Sequence, residues 1–68
     1  MDIDYQMREI GFKISTERTY SGMSQKQLAV KANITQQQLS GIENGLNCTL
    51  LTLLKVSHAL GMELNISG

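Results

Sequence analysis

The chain of 68 residues has no proline and no tryptophan, one cysteine, one histidine, one phenylalanine and two tyrosines. Each scarcity excludes something. A lone Cys48 allows no disulfide within the chain, and Cys48 with His58 cannot supply the four ligands of a structural zinc site. No apolar run approaches the roughly 20 residues that a membrane span requires. The start, MDIDYQMREI, is acidic and lacks the basic and apolar regions of a signal peptide. These readings predict a reduced, cytoplasmic protein with no membrane association, no metal and no cofactor. The missing proline and few aromatics fit an all-α domain without long loops. A domain this small buries only about 60% of its unfolded surface. With disulfides and metals excluded, efficient helix packing and a partner copy remain as supports.

Charge of either sign is also scarce, six basic residues against six acidic ones, for a formal net charge of zero. A nucleic-acid binder is usually basic, so this balance counts against that class. Its distribution softens the objection. Asp2, Asp4 and Glu9 crowd the N-terminus, opposed by Arg8, whereas Lys13, Arg18, Lys26, Lys31 and Lys55 outnumber Glu17, Glu43 and Glu63 thereafter.

What is present is a set of helical patterns with matching start and stop signals. The first helix is expected from about Tyr5 to Ser21, with Met7, Ile10, Ile14 and Arg18 on one face and Gly22 as its stop. Met23 returns the chain to the core. Ser24 and Gln27 form a capping box for a second helix, and Thr35 and Gln38 form another for a third. Leu28, Ala29 and Ala32 make the apolar stripe of the second helix. Asn33 readily takes the left-handed conformation between the two, Ile34 plugs the core, and Leu39 and Ile42 point inward from the third. Ala29 is small enough to let the helices approach closely. Thr49 caps a fourth helix through Leu60, with Leu50, Leu53, Val56 and Leu60 facing the core and Gly61 closing it.

The segment Ser24–Gly45, SQKQLAVKANITQQQLSGIENG, is therefore two short helices joined by a tight turn. Its second helix opens on Gln36, Gln37 and Gln38. Such a helix end suits the DNA major groove, where a glutamine amide can pair bidentately with adenine N6 and N7. Arg18 and Glu43 each lie on an otherwise apolar helical face, which favours a partly buried pair over two surface charges. Lys26, in the first turn of the second helix, is either a solvated charge or a phosphate contact.

Leu51 and Leu54 are left over on a different side of the fourth helix. Beyond Gly61 the pattern changes to strict alternation, Met62, Leu64 and Ile66 against Glu63, Asn65 and Ser67. That period argues for a short strand over 62–67. A lone strand leaves backbone hydrogen bonds unmade, and the same strand of a second copy is the simplest partner. Leu51, Leu54, Met62, Leu64 and Ile66 are accordingly expected at a dimer interface.

The residues Gly11, Ile14, Arg18, Gly22–Gln25, Leu28–Ala29, Ile34–Gln37, Leu39, Ile42–Gly45 and Leu53–Gly61 resemble those of the lambda-repressor and Cro (XRE-type) helix-turn-helix family. The ending LGMELNIS looks more like that of HipB-type antitoxins, which dimerise through a C-terminal strand. The resemblance implies a lambda-repressor-like bundle, here of four helices. It also implies base reading by Gln36, Gln37 and Ser40. Backbone contacts fall to Gln25 and Asn44, with Lys26 and Thr35 beside them. Arg18 and Glu43 match a buried ion pair of the family. Gly41 stands where several phage repressors carry a further base-reading side chain, so one base is expected to be read weakly. The loop Leu46-Asn47-Cys48 lacks the basic residue that often grips phosphate there, and Ser15 replaces a frequent base on the first helix.

Together these readings predict a single domain over residues 1–68 that binds double-stranded DNA as a homodimer and represses or autoregulates transcription. An antitoxin whose main partner is a cognate toxin protein, and the controller of a restriction-modification operon, are the alternatives. An enzyme is not expected, because no catalytic constellation occurs.

Overall fold

Each helix starts where a short oxygen-bearing side chain can accept an otherwise orphaned amide. The computed structural model describes residues 2–62, which form α1 (Ile3–Tyr20), α2 (Gln25–Ala32), α3 (Gln36–Glu43) and α4 (Leu50–Ala59). Their caps are Asp2, Ser24, Thr35 and Thr49, accepting from the amides of Tyr5, Gln27, Gln38 and Thr52. A lost cap costs about 1 kcal/mol. At α2 and α3 the exchange is reciprocal: Gln27 Oε1 accepts the Ser24 amide at 2.8 Å, and Gln38 Oε1 accepts the Thr35 amide at 2.9 Å. The α2–α3 turn hinges on Asn33, left-handed at φ 58° and ψ 46°. Ile34 then donates its amide to the Ala29 carbonyl at 3.0 Å and packs against the core.

The four helices meet around one buried cluster. Ile14, Leu28, Leu39 and Val56 are sealed from solvent, one from each helix, and Ala29, Ala32, Ile42 and Ala59 fill the space between them. Burying each large side chain contributes about 1.5–3 kcal/mol. Within this arrangement α3 packs on both α1 and α2, and α2 also packs on α4. The second and third helices are thus held from two sides.

Where α1 crosses α3 the backbones come unusually close. A Cβ on Gly11 would collide with the Ile42 carbonyl and lie 2.9 Å from the Glu43 carbonyl oxygen. Gly45, at φ +79°, lies against Arg8 in the same crossing, where an added Cβ would sit 3.0 Å from the Arg8 Cα. Only a residue without a side chain satisfies both the left-handed backbone and the lack of space.

Three local expectations are corrected. Helix α1 begins at Ile3 rather than near Tyr5, because Asp2 supplies the cap. Ile10 is 43% exposed and Leu50 61% exposed, although both were expected in the core. The buried side of α1 is centred on Gly11 and Ile14, which leaves Ile10 at its margin. On α4 the inward register runs through Leu53, Val56, Ser57 and Leu60, so Leu50 is rotated off it. The expected strand over 62–67, with Leu64 and Ile66, lies outside the described residues except for Met62, whose amide donates to the Ser57 carbonyl. Among the described residues no helix is long and apolar enough to cross a membrane.

Gly11, at the crossing, and Gly41, away from it, are expected to respond oppositely to alanine. Gly11→Ala is expected to lower stability by about 3 kcal/mol, since backbone must move to admit the methyl group. Gly41→Ala, whose Cβ would meet the Leu46 side chain at an ordinary 3.8 Å, is expected to raise it by about 1 kcal/mol through helix propensity. Denaturant melts of both variants check this, and a neutral Gly11→Ala would contradict the close crossing.

Candidate nucleic-acid interface

Helix α3 presents a polar face opposite Leu39 and Ile42. Gln36, Gln37, Ser40 and Asn44 recur at i, i+1, i+4 and i+8, and so lie along one side of the helix. Gln36 and Gln37 are exposed in its first turn, and Ser40 is half-buried one turn on. Gln38 belongs to the cap instead, its amide oxygen committed to Thr35. Thr35 is exposed beside them, but its hydroxyl accepts the Gln38 amide at 3.0 Å. Asn44 ends the helix and turns its Nδ2 back onto the Ser40 carbonyl at 2.8 Å. Any contact of Asn44 with a phosphate would use its second amide hydrogen.

The position of this face is set by Arg18 and Glu43. Arg18 Nε and Nη2 donate to the two oxygens of Glu43 at 2.7 and 3.0 Å, while Nη1 donates to the Met23 carbonyl at 2.9 Å. One guanidinium therefore ties α1, the α1–α2 turn and the end of α3 together. Gln25 adds a third donor, its Nε2 reaching Glu43 Oε1 at 3.1 Å. The amide of Gln25 is thereby oriented, with its carbonyl oxygen free of that contact. The second hydrogen of Nε2 is left over from that contact, as is the carbonyl oxygen. Lys26 is exposed next to it.

Electrostatically the pair is closed on itself. Burial pushes the Glu43 carboxyl up, but hydrogen bonds from Arg18 and Gln25, the guanidinium charge and a smaller contribution from Ser15 outweigh it and hold the carboxyl below its usual range. The hydrogen bond with Glu43 raises the Arg18 guanidinium further above its ordinary value, against a smaller opposing effect of burial. The side chains are only 16% and 6% exposed. Burial also pushes the Cys48 thiol up, which disfavours the reactive thiolate.

Arg8 is a residue that the sequence reading did not single out for this region. It lines an open groove at the base of α1 with Tyr5, Ser15, Glu43 and Asn44. The close crossing of α1 at Gly45 brings Arg8 there, and nothing in the local sequence signals it. Phe12 borders the same groove and is 69% exposed, which nothing in the structure explains. Leu51 and Leu54 are exposed on α4, away from the polar face of α3.

Two short capped helices around a left-handed turn, the second with an amide-rich outer face, define a helix-turn-helix. A family model described as helix-turn-helix matches residues 14–66, and the chain belongs to that family of DNA-binding regulatory domains. No curated protein matches the chain significantly.

The depressed Glu43 carboxyl couples stability to pH. A carboxyl whose folded value lies below its unfolded value adds stability that is present above the unfolded value and is lost as pH falls through the folded one. Stability is therefore expected to decline from about pH 5 downward. Glu43→Gln should flatten that limb and cost about 2–3 kcal/mol at pH 7 by leaving Arg18 without its charge partner. Urea melts across this range test it, and an unchanged acid limb in the variant would assign the dependence to other groups.

Proposed function

We propose that the chain is a sequence-specific transcriptional regulator, a repressor or autoregulator, that reads a pseudo-palindromic operator as a homodimer. The observation that carries this reading is the exposed pair Gln36 and Gln37 on the first turn of α3, a helix braced on both sides by α1 and α2. A glutamine in that position offers a donor and an acceptor together, the complement of adenine in the major groove. Ser40 extends the same face toward the next base. Gln25 braces Gln36 through its free carbonyl oxygen. Gln25 itself, Lys26, the Thr35 region and Asn44 meet the backbone, and Arg8 joins them from α1.

The weak net charge shapes the mode of binding. With Arg18 neutralised by Glu43, few cations remain to displace counterions from the phosphates. A single copy then binds any DNA poorly, and useful affinity comes from two copies on half-sites about one helical turn apart. Gly41 leaves one base position without a reader.

Selection from random duplex DNA at a stated moderate salt concentration tests the reading. Enrichment of a palindrome with that spacing is the expected outcome. Folded protein that enriches no sequence would overturn it. At the operator so found, Gln36→Ala is expected to relax preference at one symmetric pair of bases by about 1–3 kcal/mol. Lys26→Ala should instead weaken all sequences alike and reduce the salt slope by about one per subunit. An unaltered base preference in Gln36→Ala would remove that residue from the reading set.

A further inference from the structure

All three aromatic residues of the chain, Tyr5, Phe12 and Tyr20, lie on α1, and none of them enters the core. They are 54%, 69% and 91% exposed. Spacings of seven and eight residues bring them to one side of the helix, opposite the side buried at Gly11 and Ile14. From Tyr5 to Tyr20 this ridge is about 22 Å long. Rings so open present on the order of 400 Å² of largely apolar surface. A patch of that size on a small monomer often serves a function.

We infer that the ridge is a docking site for a basic amphipathic helix of a different protein. The apolar stripe of that helix lies against Phe12, and its cations lie beside the carboxylates of α1. The three rings and Glu9 take no part in the DNA reading, so the inference stands apart from it.

Shape selects a helix as the occupant. Phe12 stands between two open grooves. One, of about 590 Å³, reaches toward Ser15 and Asn44. The other, of about 340 Å³, is walled by Ile10, Lys13, Thr16 and Glu17. A ridge with a groove on each side interlocks with the side-chain rows of another helix, whereas a small ligand takes an enclosed pocket.

Charge selects the sign of the partner. Asp2, Asp4, Glu9 and Glu17 stand on α1 and its cap with only Arg8 and Lys13 to oppose them, because Arg18 is taken up by Glu43. Glu9 falls on the ridge itself, between Tyr5 and Phe12. Such a face repels DNA phosphates. A second copy across a twofold axis would set the same carboxylates against one another. Lysine and arginine of a partner are instead attracted by the carboxylates and by the faces of the rings.

The test is a titration of the isotope-labelled full-length chain, without DNA, followed by the NMR shifts of its amides. The probe is a synthetic helical peptide of about 16 residues, matched to the ridge, with leucines on one side and lysines and arginines flanking them. Shifts are expected along α1 around Tyr5, Phe12 and Tyr20, with a Kd of tens of micromolar, as a contact below standard size allows. Phe12→Ala should weaken binding about 10-fold or more. Glu9→Gln together with Glu17→Gln should weaken it about fivefold at low salt. None of these side chains is buried, so both variants should keep the helical circular dichroism of the wild type. The peptide with glutamate in place of its lysines and arginines should leave the spectrum unchanged. Shifts centred on α3 or α4, equal binding of the acidic peptide, full affinity in Phe12→Ala, or no shift at millimolar peptide would each overturn the inference. Shifts at Phe12 that grow with protein concentration alone, or on adding duplex DNA alone, would give the ridge another occupant and overturn it too. Failure of the peptide to bind leaves the DNA reading untouched.

Discussion

The contact between Arg18 and Glu43 is the constraint on which the rest of the structure depends. It is bidentate, nearly sealed from solvent, and shared by three segments, since the same guanidinium also holds the Met23 carbonyl. A fold of this length has few spare interactions: a domain of 68 residues is stable by about 3–10 kcal/mol. An ion pair whose disruption strands a largely buried charge can account for much of that margin. It also explains how so small a core fixes the orientation of α3. Apolar packing is tolerant of rotation, whereas a forked guanidinium meeting a carboxylate is directional.

The same contact has a consequence for binding. It removes one cation and one anion from the surface, and it recruits Gln25 as a third donor to the carboxylate. The amide beside α3 is thus oriented by the fold alone, which lowers the ordering cost of any contact made there. Under the proposed function, what the chain lacks in positive charge is recovered through such preorganisation and through a second copy.

Much of the fold was legible in the sequence because its signals are local. A cap is a short-range contact between residues three apart, so Ser24 with Gln27 and Thr35 with Gln38 could be recognised without knowing the fold. Asn33 in the left-handed region is likewise a property of one residue and its neighbours. The pattern failed at helix margins. Ile10 and Leu50 fit a helical period, but period alone does not state how wide the buried stripe is, and both lie outside it. The arrival of Arg8 beside Asn44 had no local signal at all. It follows from two glycines more than thirty residues apart that allow α1 and the end of α3 to touch.

By itself the sequence determined the four helices, the starts of α2, α3 and α4, the sharp turn between α2 and α3 and the row of amides that opens α3. These depend on backbone hydrogen bonds and side chains within a turn of one another. Only the tertiary structure decided which apolar residues the core accepts, how close α1 lies to α3, and that the Gln25 amide is held by Glu43. Those outcomes depend on volume and on hydrogen-bond geometry between segments distant in the chain. The core closes once Ile14, Leu28, Leu39 and Val56 are buried, and the leucines that do not fit it are left on the surface.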